Sequence, residues 1–133
     1  MPFADNDGVK IHYHTTGSGP SIVLMHGFMG DIGSWYKLGY PDTLSPNHTV
    51  ITVDARGHGE SDKPYDPMDY IDKTMATDVI AVLDDMDIKK SHYFGFSMGS
   101  RIGFELAAHY QKRFISFILG GQTPGIRNEH GNE

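Results

Sequence analysis

Ser97 sits in Gly95-Phe96-Ser97-Met98-Gly99, a setting in which a serine hydroxyl can act as a nucleophile. A Gly-x-Ser-x-Gly run between a strand and a helix folds into an abrupt corner, with the serine at its apex in a strained backbone conformation. An aromatic run, Tyr93-Phe94, precedes it, and a helical pattern follows. Gly95 and Gly99 fit because a Cβ at either place would crowd the corner. The Ser97 hydroxyl then stands clear of the sheet. The Met98 N–H, at the start of the next helix, can face an oxyanion formed beside it. Such a group attacks a carbonyl carbon, but only with a base beside it, because its own pKa keeps it protonated.

Other polar groups invite chemistry and are better explained as supports. His26 ends an apolar run, Ser21–Met25, and opens His26-Gly27-Phe28; it is expected to brace this loop rather than act as a base. Arg56 and His58 lie in the loop Asp54–Asp62, where both are expected to brace the loop through an ion pair, for instance with Asp54 or Asp62. His12 and His14 share one face of a strand, but two ligands without a third make a poor metal site, and both are expected to be solvated. Glu105 and His109 are four apart without the His-Glu-x-x-His pattern of zinc proteases. No Gly-x-Gly-x-x-Gly follows the first strands, which argues against a dinucleotide. No metal and no cofactor is expected.

Strands alternate with helices along the chain. Val9–Thr16 reads as a half-buried edge strand, Ser21–Met25 as a central parallel one, and Thr49–Val53, Ser91–Phe96 and Phe114–Leu119 as further strands. A short helix is expected within Asp31–Leu44. Tyr70–Met86 carries Ile71, Met75, Val79, Val82, Leu83 and Met86 at helical spacing. Its other side, with Asp72, Lys73, Asp78, Asp84 and Asp85, reads as solvated surface. Met98–Arg113 is expected to be helical. The pattern is that of an α/β fold with a mostly parallel sheet and flanking helices.

The 133 residues make one average domain, and a hydrophobic fraction of 38% suffices for one core. A net charge of −6 and the lack of a basic cluster argue against nucleic acid. No apolar run reaches the ~18 residues of a membrane span. The absence of cysteine excludes thiolate chemistry and fits the cytoplasm.

His26-Gly27-Phe28, then Asp54-x-Arg56-Gly57-His58-Gly59-x-Ser61-Asp62, then Gly95-x-Ser97-x-Gly99 closely resemble the α/β-hydrolase family in order and spacing. The likeness runs from about Val9 to Thr123 and is strongest to the small esterase, enol-lactonase and cofactor-free perhydrolase branch. It implies Ser97 as nucleophile and the Phe28 and Met98 amides as oxyanion donors. His26, Gly27, Gly95, Gly99, Asp54 and Arg56 would shape the loops around them. The implied substrate is a small carboxylic ester or lactone. A Ser at the elbow differs from the family's dehalogenases and epoxide hydrolases, which use Asp there.

Members of the family are longer, in the order nucleophile, acid, His. The resemblance therefore implies the N-terminal half of the fold, 1–133, without the C-terminal strands and cap, with 122–133 a polar tail where a cap would begin. The acid and His would come from a longer chain or a partner, or be absent in a non-catalytic half-domain. One internal route exists, with Glu129 as acid and His130 as base. Phe114–Leu119 is apolar on both faces yet comes last, which points to a homodimer through this exposed edge.

Overall fold

The computed structural model describes residues 2–121. Strands β1 (Phe3–Asn6) and β2 (Val9–Thr16) form an antiparallel hairpin. Its turn is Asp7-Gly8, both at positive φ (52° and 90°), the two-residue geometry whose twist suits a hairpin. Then follow β3 (Ser21–Met25), helices α1 (Ile32–Lys37) and α2 (Tyr40–Leu44), β4 (Thr49–Val53) and α3 (Asp72–Asp85). Strand β5 (Ser91–Phe96), α4 (Met98–His109) and β6 (Phe114–Gly120) complete the described chain.

The six strands make one sheet in the order β1-β2-β4-β3-β5-β6. Pairs β3–β4, β3–β5 and β5–β6 are parallel, whereas β2 joins β4 antiparallel. All five residues of β3 are buried, as a central strand covered on both faces requires. The expected edge position of β2 is wrong: β1 lies outside it. With four residues and a single buried one, Ala4, β1 has no alternation to read. Strand β6 is the other edge, and Ile115 and Ile118 stay 55% and 56% exposed on it.

Helices α3 and α4 bury one face of the sheet through Met75, Val79, Val82, Leu83, Ile102 and Leu106. Gly103 lets α4 lie close, since a Cβ there would meet Leu119 at 2.4 Å and Tyr93 at 2.9 Å. The opposite face carries a smaller cluster, Ile22, Leu24, Trp35 and Val50, under α1 and α2. These are two helices, not one, because Gly39 takes φ 81° and Pro41 restarts the second. Helix α3 begins at Asp72, after a 3-10 turn at Pro67–Tyr70; α4 stops at His109, before another at Gln111–Arg113. No helix among the described residues is long and apolar enough to cross a membrane.

Three polar readings change. Asp78 is buried, not solvated, and it is the partner of Arg56: Nε and Nη2 of the guanidinium donate to Oδ2 and Oδ1 at 2.8 and 2.7 Å. Arg56 therefore clamps its loop to α3 rather than to Asp54 or Asp62. The paired carboxylate raises the pKa of the guanidinium, which burial alone would lower. His12 is buried with its Nδ1 2.7 Å from Asp54 Oδ2, and His14 Nδ1 lies 2.8 Å from the Tyr36 hydroxyl, so neither histidine is simply solvated.

Candidate active site

Ser97 occupies φ 55°, ψ −112° between β5 and α4, a conformation that a residue with a Cβ holds only where its surroundings impose it. The surroundings are tight. A Cβ on Gly95 would meet the Gly99 carbonyl at 2.4 Å, and one on Gly99 would meet the Met25 carbonyl at 2.1 Å. The corner is tied to the neighbouring strand as well. Ser97 N–H donates to the Gly120 carbonyl at 2.9 Å, and Ser100 Oγ lies 2.8 and 2.6 Å from the Gly95 and Gly120 carbonyls. Ser97 is the N-cap of α4, yet its side chain caps no helical amide. The Met98 N–H, next in line, belongs to the first helical turn, whose amides lack intrahelical acceptors.

The His26–Gly30 loop lies beside this corner. A Cβ on Gly27 would stand 3.4 Å from Ser97 Cβ, in ordinary contact, which shows how near the loop comes to the serine. Gly30 N–H donates to the Gly27 carbonyl at 3.0 Å, closing a turn with Phe28 and Met29 at its centre. Both are strongly exposed, at 73% and 83%.

His26 braces the loop. Its Nδ1 lies 2.7 Å from the Gly27 carbonyl, and its Nε2 accepts the Ala55 N–H at 3.1 Å. A carbonyl cannot donate and an amide cannot accept, so the ring is neutral with the proton on Nδ1. Burial lowers its pKa below the usual 6.5. With both nitrogens engaged by backbone, His26 has none left for Ser97.

Asp54 organises the second loop. Its Oδ1 accepts the Ile32 N–H at 2.8 Å; its Oδ2 takes His12 Nδ1 at 2.7 Å and the Glu60 N–H at 3.1 Å. Gly59, at φ 52°, leaves room for this carboxylate. Ser61 Oγ donates to the Asp54 carbonyl at 2.6 Å and accepts the His12 N–H at 2.8 Å. Next to Gly27, an apolar hollow of about 210 Å³ is lined by Trp35, Leu38, Tyr40, Phe94 and Phe96.

The structure thus brings Ser97, Gly27, Gly95, Gly99 and Met98 together, with Phe28 on the adjacent turn and His26, Asp54 and Arg56 behind. No hydrogen bond joins an imidazole to the Ser97 hydroxyl among the described residues: His12, His14, His26, His58 and His92 bond elsewhere, and His109 lies against Glu105. Glu129 and His130 lie outside the described residues. Ser100 and Asp78 were missed as supports, and His58 braces its loop through backbone groups rather than an ion pair. Ser100 alone had a local signal, a hydroxyl one turn into a helix that begins under strain.

Residues 20–131 match the family model for the alpha/beta hydrolase fold. The chain belongs to the α/β-hydrolase family. This α/β hydrolase is 36% identical over 121 residues to the soluble epoxide hydrolase of Corynebacterium sp. (strain C12), covering 90% of this chain and 41% of that one. It is 35% identical over 119 residues to the dihydrolipoyllysine-residue acetyltransferase component of the acetoin cleaving system of Cupriavidus necator, covering 88% and 30%. A solved structure of Est816, described as an N-acyl homoserine lactone degrading enzyme, matches with a TM-score of 0.81 at 37% identity, covering 89% and 44%. The α/β-hydrolase chain spans less than half the length of the curated relatives it matches.

Proposed function

We propose that this chain carries the nucleophile and oxyanion donors of a serine hydrolase acting on small carboxylic esters or lactones. One observation carries the reading: Ser97, not Asp, stands at φ 55° on the strand-to-helix corner, its hydroxyl unspent on capping. Ser97 Oγ would attack the substrate carbonyl and form an acyl ester while the alcohol leaves. The Met98 and Phe28 N–H groups would take the oxyanion, and removing one such donor typically costs about 10²–10³ in kcat. Water would then release the acid. The Ser97 proton must go to a base beyond the described residues, and loss of that base costs about 10⁶ in kcat. The likeness to Est816, described as a lactone degrading enzyme, supports a lactone; the serine separates this chain from an aspartate-based epoxide hydrolase.

A second reading, a non-catalytic half-domain that binds small molecules, is favoured by the engagement of His12, His14, His26, His58 and His92 away from Ser97. Labelling with a fluorophosphonate decides between them. Covalent modification that disappears in Ser97→Ala supports the hydrolase. No labelling of the native chain leaves the binding half-domain. The exposed Ile115 and Ile118 on β6 support a homodimer through that edge. A monomer by light scattering at high micromolar concentration would refute it.

A further inference from the structure

We infer that His58 is a positioning residue for the turn that carries the Phe28 amide, and that the turn has two arrangements between which the protonation of His58 chooses. The link to catalysis rests on the serine-hydrolase reading; the geometry does not. His58 Nδ1 lies 3.0 Å from the Arg56 carbonyl, and its Nε2 accepts the Met29 N–H at 3.1 Å. As for His26, these partners force the neutral ring with its proton on Nδ1. The Phe28 ring meets the His58 ring edge-on, with centroids 5.7 Å apart.

The turn itself is unusual. Gly30 N–H donates to the Gly27 carbonyl, Met29 has φ 67°, and Phe28 is not at positive φ. That is a type II turn, which favours glycine at its third residue and here holds methionine. A type I turn over the same four residues would let Met29 relax to negative φ. The two types differ by a flip of the Phe28–Met29 peptide, which exchanges the directions of the Met29 N–H and the Phe28 carbonyl. Neutral His58 offers an acceptor and selects the N–H, hence the strained form. Protonated His58 offers a donor and selects the carbonyl, hence the relaxed form.

The titratable groups around His58 are His26, with ring centroids 5.1 Å apart, Asp31 and Tyr70 in the same hollow, and Asp54 beneath Gly59. The Arg56 guanidinium is committed to Asp78. His26 is held low by burial, so its own protonation comes at lower pH than an ordinary histidine's.

Nuclear magnetic resonance of the native chain from pH 8 to 5 tests this, alongside His58→Gln and His58→Phe. Glutamine keeps an acceptor but does not titrate; phenylalanine keeps the ring and loses the acceptor. In the native chain, a strong contact from Phe28 Hα to the Met29 amide proton, the mark of type II, should weaken as the His58 ring protonates. It should persist across the range in His58→Gln and be lost throughout in His58→Phe. Fluorophosphonate labelling of Ser97 at pH 8 should fall about 10- to 100-fold in His58→Phe and be largely rescued in His58→Gln. A turn unchanged while His58 titrates overturns the inference, as does a lost type II contact with undiminished labelling. If the native chain is not labelled at all, the serine-hydrolase reading fails, and the turn contact alone decides on His58.

Discussion

The two faces of the sheet are covered very differently. On one, α3 and α4, of 14 and 12 residues, close over eighteen buried side chains. On the other, α1 and α2, of 6 and 5 residues, reach only four. Leu38 and Phe96 there remain 70% and 55% exposed. Coverage is decided by helix length, and stability should therefore reside on the α3/α4 face.

The sharpest way to break this asymmetry is Asp78→Ala, which leaves the buried Arg56 with only its longer contacts to Asp69 behind α3. A loss of about 3–5 kcal/mol in chemical denaturation is expected; a loss below about 1 kcal/mol would show that the clamp is not structural. Ile102→Ala empties a fully buried site on α4 and should cost about 3 kcal/mol.

Tyr13 tests the same face through pH. Burial, then the hydrogen bond and charge of Asp85 at the end of α3, push its pKa from 10.0 to about 12. Because the folded value is the higher, the stabilisation is fully present below pH 10 and is lost as pH rises toward 12. Its size is roughly 2–3 kcal/mol. Tyr13→Phe should flatten part of the alkaline decline, and an unaltered decline would exclude Tyr13 from it. Leu38→Ser on the open face should change stability by less than about 0.5 kcal/mol. An equal loss there and at Ile102 would abolish the distinction between the faces.

The same contrast explains what could be read from residues alone. The elbow was legible because its requirements are local: two glycines and a serine within five positions. Strands β3, β4, β5 and β6 were legible as short apolar runs between turn residues. Asp78 was not, because it lies 22 residues from Arg56 and sits among acidic residues that do face water. His12 was misread for a related reason. Alternation along β2 separates two sides of a strand, but His12 is buried by groups from elsewhere in the chain, the Asp54 carboxylate and the Phe3 ring. The turn at Phe28 and Met29 carries no glycine at its strained position, so nothing nearby announces its shape.

The chain leaves β6 at Gly120, the residue whose carbonyl receives both the Ser97 N–H and the Ser100 hydroxyl. Tension or slack in the polypeptide at that exit is thereby transmitted to the serine within a single residue's reach. A fusion, a proteolytic nick or a docked neighbour that tugs on Gly120 would retune the corner without touching it.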